Sequence, residues 1–219
     1  MAHAGPPEDT GHKNGKDTRR KDQIARERPP KKRKYHTTDD DEAGIESDTE
    51  DVDVRGPNEK FLKERGIDWL HHFTDSSNLD SIQKHGLRSQ KYLQQNKINV
   101  KYASSEWSRQ RDKDNGYQNC VRLSVVRDHP MGFVAKDEGR INDRIVLQIS
   151  LAAADLPGVS FSDRNALRSG AQIESTPGHL HYDVFNQNYF RVTPKEQKYY
   201  QAEVLVPDCV PAEMLKFND

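Results

Sequence analysis

The sequence predicts an α+β domain on a mainly antiparallel β-sheet, preceded by a charged, disordered tail. Three observations lead there. Large apolar residues are confined to the later part of the chain, with no Leu, Phe or Trp before Phe61. Beyond that point several short stretches alternate apolar and polar residues, the period of a half-buried strand. These stretches do not alternate with long helical segments, so the βαβ rhythm of a parallel sheet is missing. No internal repeat is visible.

The tail comes first. Its aliphatic residues are isolated, as at Ile24, Ile45, Val52 and Val54. Such a stretch cannot offset the roughly 1–2 kcal/mol per residue of backbone entropy lost on ordering. Residues 1 to about 60 are therefore expected to be disordered. Charge divides them: nine Lys or Arg against two acids lie between Arg19 and Tyr35, and nine acids with no base between Asp39 and Asp53. The basic block ends in Pro29-Pro30-Lys31-Lys32-Arg33-Lys34, which reads as a nuclear-import address or a phosphate-binding arm. It reads equally as a solvated linker whose two blocks attract each other.

Composition sets further bounds. The 219 residues include 34 basic and 35 acidic ones, with 32% hydrophobic residues and a mean hydropathy of −1.04. A formal charge of −1 excludes coating nucleic acid by bulk positive charge. No apolar run approaches the roughly 18–20 residues of a bilayer span, so no membrane association is expected. The N-terminus lacks the apolar stretch of a secretory signal. Cys120 and Cys209 alone make neither a disulfide framework nor a four-cysteine zinc site. An intracellular protein is expected, nuclear if the 29–34 run is an import signal and cytoplasmic otherwise. A monomer is the default.

Residues 61–219 form one domain of ordinary size with 21 bases and 20 acids. Trp69–Phe73 is predicted as a short buried strand. Asp75 or Ser76 caps a helix through Leu79 and Ile82, stopped by Gly86. The polar stretch 88–119 reads as loop or irregular helix. Val121–Val126, Arg144–Leu151 and Gly158–Phe161 read as strands, and Ser162 or Asp163 as the start of a capped helical turn. Segment 169–198 has no clean period and reads as a long surface loop with some helix, a length that usually serves a function. Tyr200–Val206 is the last strand, closed by Pro207.

Three groups could carry chemistry. On the last strand Gln201 and Glu203 point the same way, opposite Ala202 and Val204. A carboxylate there is either on a wet edge or in a cleft, where it would need partners or a raised pKa. In a cleft, Glu203 could stabilise positive charge at an anomeric carbon while Gln201 positions the nucleophile. His72 and Thr74 share a face of the first strand and suit a ribose, though a lone strand histidine is also a common structural residue. Ser108-Arg109-Gln110-Arg111 offers guanidinium forks suited to a diphosphate, or a solvated loop. No metal set forms around His71-His72 or His179-x-His181. Dinucleotide-binding glycine motifs, a P-loop and a nucleophile elbow are missing.

These residues together resemble the DarT family, which transfers ADP-ribose from NAD to a base in single-stranded DNA. The resemblance covers about 66–216. It rests on His-His-Phe-Thr-Asp-x-x-Asn-Leu-x-x-Ile (71–82), His-Gly-Leu (85–87), Ser-Arg (108–109) and Cys-Val-Arg-Leu-Ser (120–124). Asp-His-Pro-Met (128–131), Phe-Ser-Asp-Arg-Asn-Ala (161–166) and Gln-Ala-Glu-Val-Leu-Val (201–206) complete it. It implies an ADP-ribosyltransferase fold, a split sheet gripping NAD as co-substrate without a metal. Glu203 and Arg109 would be catalytic, with Arg111 a rival for the arginine. His72, Phe73, Thr74 and Arg109 would bind NAD, and Gln201 would position the substrate. Residues from about Leu93 to Arg111 would close over NAD, and 162–203 would recognise DNA. Tyr182, Phe185, Tyr189 and Phe190 would offer stacking surfaces, and Arg122, Arg127, Arg140, Arg164, Arg168 and Arg191 phosphate contacts. A macrodomain-type ADP-ribosyl glycohydrolase antitoxin is the implied partner. RNA or protein as acceptor, or an inactive interaction module, are the competing readings. The strand at 120–125 departs from the more aromatic one of many family members.

Overall fold

The computed structural model describes residues 54–217. The charge blocks of the tail and the Pro29–Lys34 run lie outside them. The first half of the described chain carries α1 (Pro57–Glu64), β1 (Leu70–Asp75), α2 (Leu79–His85), β2 (Leu87–Arg88), α3 (Gln90–Gln95), α4 (Glu106–Asp114) and β3 (Cys120–Ser124). The second half carries α5 (Pro130–Asp137), β4 (Arg144–Ile149), β5 (Ser160–Ser162), β6 (Ile173–Glu174), α6 (Tyr182–Phe185), β7 (Glu203–Pro207), β8 (Cys209–Val210) and β9 (Leu215–Lys216). The class is the expected one, with strands that pair antiparallel and helices flanking them.

Helical order begins before the expected boundary at 60. Helix α1 opens on Pro57, whose fixed φ and missing N–H suit a first turn. The free amides of Asn58 and Glu59 each donate to the Asp155 carboxylate at 2.9 Å. A carboxylate on the positive end of a helix is doubly favourable, and Leu62 on the same helix is fully buried. The cap stands 97 residues from Asn58, so nothing local in the sequence announces it.

Strand β1 and the helix after it follow the sequence closely. Asp75 accepts from the Ser77 amide and caps a 3-10 turn, Ser76–Asn78, that runs into α2. Gly86 ends α2 with φ +72°, the left-handed region that glycine enters without penalty. A Cβ there would also lie 2.4 Å from the Val210 carbonyl oxygen, because β2 pairs with β8 immediately afterwards. Gly86→Ala is expected to cost about 2–3 kcal/mol from backbone strain and this overlap. Urea denaturation measures it, and a change below about 0.5 kcal/mol, the scale of ordinary surface substitutions, would contradict the close approach.

The seven-stranded sheet has the order β6-β5-β7-β3-β1-β4-β9. Strand β1 pairs with β4 along its whole length, from Leu70 opposite Ile149 to Asp75 opposite Arg144. Strand β3 pairs with β7 equally fully, from Cys120 opposite Pro207 to Ser124 opposite Glu203. Between β1 and β3 there is a single pair, His71 with Ser124. The sheet therefore splits near its middle. Its halves are held by a common core that includes Leu70, Leu123, Ile149, Phe161, Val204 and Val206.

Several local expectations need correction. The polar stretch 88–119 contains the short helices α3 and α4, each N-capped by a serine side chain, Ser89 and Ser105. Helix α5, capped by His129, was not foreseen. No helix starts at Ser162: Asp163 instead accepts from the Gln172 amide and the Arg164 guanidinium, which makes a turn. The last main strand starts at Glu203, not Tyr200, because Tyr199–Gln201 form a 3-10 turn.

Candidate active site

Where β1 and β3 part, a cleft of about 270 Å³ opens. His72 fills the top of the gap. Its Nδ1 lies 3.0 Å from the Arg122 carbonyl, in place of a ladder bond between the strands. A carbonyl only accepts, so Nδ1 carries the hydrogen and Nε2 is left as an acceptor. Burial lowers the imidazole pKa, which keeps the ring neutral. Phe73 and Thr74 line the same cleft, and the Phe73 ring stacks beside His72 and His129.

Asn78 contributes in a way the sequence did not signal beyond its place in a motif. Its amide nitrogen donates to the Thr74 hydroxyl and the Lys101 carbonyl, both at 2.9 Å, and its oxygen accepts from the Lys101 amide at 2.8 Å. The buried amide thereby fastens the segment between α3 and α4 to the end of β1. Leu93, Val100, Tyr102, Ser104 and Ser108 of that region line the cleft.

Glu203 is the first residue of β7 and is buried at the floor of the split. Its Oε2 accepts from Arg122 Nη1 at 2.5 Å and from the Ala166 amide at 2.9 Å, and its Oε1 from Asn165 Nδ2 at 3.2 Å. The other Arg122 nitrogen, Nη2, donates to Asp112 of α4. Burial pushes the Glu203 carboxyl above the usual carboxylate range, while Arg122 pulls it back. Asp112 is raised by burial in the same way. Burial opposes the Arg122 charge, but the two carboxylates hold its pKa above the ordinary arginine value. Two acids thus share one guanidinium.

The remaining expected residues stand apart from this trio. Arg109 donates to the Ser104 carbonyl and lies over the Tyr102 ring at 4.7 Å, so it sits behind residues that line the cleft. Arg111 lies over Trp107, an exposed ring on the outer side of α4. Arg109 is the nearer to the cleft wall, but neither guanidinium lines it. Gln201 sits in the 3-10 turn before β7 and does not line the cleft, because the strand alternation that would align it with Glu203 starts only at 203. The arginine brought to Glu203 is Arg122, which the sequence marked only as a phosphate contact. The available signal was a charge in a strand whose other face, Val121 and Leu123, is buried apolar.

In segment 162–203, Tyr182 is committed to structure: its phenol donates to the Pro177 carbonyl and its ring meets Phe61 and Phe185 edge-on. Arg164 is engaged by Asp163. Tyr189 packs on Tyr200. Phe190 is 87% exposed and stays available for stacking.

An antiparallel sheet that parts between β1 and β3, with His72, Thr74 and the buried Glu203 lining the cleft, is what the resemblance to the ADP-ribosyltransferase class implies. Within it the chain belongs to the DarT family: residues 71–217 match the family described as ssDNA thymidine ADP-ribosyltransferase, DarT. Members of that family are NAD-dependent. Among solved structures, Thermosipho africanus DarTG in complex with ADP-ribose superposes with a TM-score of 0.56 at 19% identity, over 68% of this chain and 42% of that one. This chain thus spans less than half of the Thermosipho chain. Thermus sp. 2.9 DarT in complex with ADP-ribosylated ssDNA gives 0.53 at 20% identity, over 65% and 76%. The same Thermus protein in complex with carba-NAD+ gives 0.51 at 19% identity, over 68% and 80%. These likenesses establish a shared fold. No curated protein matches the chain. Among the described residues, no cluster of three or more His, Cys, Asp or Glu is placed to hold a metal ion, and no helix is long and apolar enough to cross a membrane.

Proposed function

We propose that this chain transfers ADP-ribose from NAD to the thymine base of single-stranded DNA and releases nicotinamide. The observation that carries the reading is Glu203, a carboxylate buried at the split of the sheet in a cleft that His72 and Thr74 also line. As the glycosidic bond breaks, its electron pair returns to the pyridinium ring and positive charge grows on the ribose. A carboxylate on the 2′-hydroxyl stabilises that charge where little water competes. The neutral His72 offers Nε2 as an acceptor for a ribose hydroxyl or the carboxamide. The ring nitrogen of thymine that bears the imide hydrogen attacks C1′ of the ribose while its proton passes to water, and an unpaired strand exposes that edge at low cost. Arg109, behind the cleft wall, is the arginine for the second half of the reaction: small movement of the 96–105 segment would present it to the base. Gln201 would act from the turn before β7 once DNA is bound.

The DarTG composition of the Thermosipho relative supports a DarG-type antitoxin as partner, and we read it as one of macrodomain type that removes the same modification.

Labelled NAD distinguishes the acceptors. Incubated with thymidine-containing single strands, thymidine-free single strands, duplex, RNA and bystander protein, the chain is expected to label the first alone, with one nicotinamide released per transfer. Label confined to RNA or protein, or no consumption of NAD, would contradict the assignment.

A further inference from the structure

The role of Arg122 goes beyond the reading of Glu203 and rests on it. Arg122 projects from the middle of β3 into the split, where its planar fork spans two elements: one nitrogen on Glu203 of β7, the other on Asp112 of α4. Asp112 is buried on an otherwise polar helix whose neighbour Ser108 lines the cleft. We propose that Arg122 and Asp112 are positioning residues with different tasks: Arg122 holds Glu203 in its ionised form, and Asp112, bound to the other nitrogen of the same guanidinium, ties α4 to the strands that carry Arg122 and Glu203.

The charge balance makes the proposal specific. With both acids ionised, the trio holds two negative charges against one positive charge. Removing Asp112 leaves a neutral Arg122–Glu203 pair and favours the carboxylate. Removing Arg122 leaves two acids facing each other without a cation, and a proton must then be taken up. Among the described residues Arg122 is the cation paired with Glu203, while Arg88, Lys101 and Arg140 line other parts of the same cleft. Glu203 otherwise meets Ser124 across β3, Ser162 across β5, Asn165 and the Ala166 amide. His71 lies one strand further, held neutral by burial and by the charge of Arg127. Tyr117 places its ring 5.7 Å from the guanidinium, and the Cys120 thiol on the same strand is kept protonated by burial. The fork also has a mechanical consequence. Asn78 holds Lys101, in the middle of the segment between α3 and α4, and Asp112 holds the helix that follows it, so this wall of the cleft is tied at two points.

The proposal is tested on the full chain by titrating the side-chain carboxyl carbons of ¹³C-labelled glutamate by NMR, with Glu203 identified by its loss in Glu203→Gln. Asp112→Asn is expected to move the Glu203 midpoint down from wild type and Arg122→Met to move it up, with Arg122→Lys close to wild type. The acid limb of nicotinamide release should move in the same order, the rate falling about tenfold per pH unit below each midpoint. If Arg122→Met does not fold, Asp112→Asn and Arg122→Lys still set the order. Coincident midpoints, or an upward shift in Asp112→Asn, would overturn the proposal. The expected order of midpoints in a wild-type chain that releases no nicotinamide would instead sink the enzymatic reading and leave the charge coupling standing.

Discussion

Glu203→Gln is expected to release nicotinamide from NAD at about a hundredth to a thousandth of the wild-type rate, the size of effect seen when one preorganised electrostatic partner of a transition state is removed. The amide keeps the shape of the side chain and one oxygen for the Ala166 amide, so the ground-state contacts to NAD persist. What is lost is the negative charge that matters only as the ribose becomes cationic. The loss should therefore fall on kcat, with KM little changed. The fold should tolerate the change, because Arg122 retains Asp112 and the trio loses a surplus negative charge. Thermal melting of the variant beside steady-state kinetics checks both halves. A collapse of the melting temperature together with activity would assign Glu203 a structural role.

Asp75→Ala should cost about 3–5 kcal/mol, the largest stability change expected of a single substitution near the cleft. The carboxylate is buried and accepts four hydrogen bonds: from the Ser77 amide and hydroxyl, and from the amides of Asn142 and Asp143. Lys101 Nζ stands 3.5 Å away as a counter-charge. One side chain thus caps the turn into α2, anchors the loop that enters β4 and touches the closing segment. Alanine removes the shared acceptor of three backbone amides, those of Ser77, Asn142 and Asp143. The hydrogen bonds, that of Ser77 foremost, hold the Asp75 pKa well below the usual carboxylate range against the opposing effect of burial. A lowered folded-state pKa means that this stability is present in full above the unfolded value, roughly 3.9, and is lost as pH falls below it. Urea unfolding between pH 7 and pH 3 should show wild type losing its advantage over Asp75→Ala as the solution is acidified. A gap that stays constant through that range would contradict the assignment.

How much of this was legible in the sequence depends on the range of the interaction. Strand β1, the Asp75 cap, α2 and its Gly86 stop are local patterns, and they stand where periodicity and capping rules put them. Glu203 was marked by its chemistry, a carboxylate in an apolar strand. Helix α1 was missed because its cap, Asp155, comes from the other half of the domain. The strand start at 203 was missed because Tyr200 and Ala202 look like strand residues, yet Tyr200 is buried in a separate cluster with Val126, Val184 and Val192. That packing turns the backbone one residue before Glu203. The importance of Arg122 was hidden for a related reason. Its two partners lie 10 residues before it and 81 after it, and only the pairing of β3 with β7 brings them together. Motif resemblance located the cleft, whereas the connections across it needed the fold.

A crystal structure of the chain bound to carba-NAD is the most direct test of the central claim, that the gap between β1 and β3 holds the nicotinamide ribose against Glu203. The expected result places a Glu203 oxygen within about 3 Å of the 2′-hydroxyl, with the His72 ring at the nicotinamide end and the 96–105 segment over the nucleotide. A ribose bound outside the split, or inside it with Glu203 still screened from the sugar by Arg122, would contradict the account.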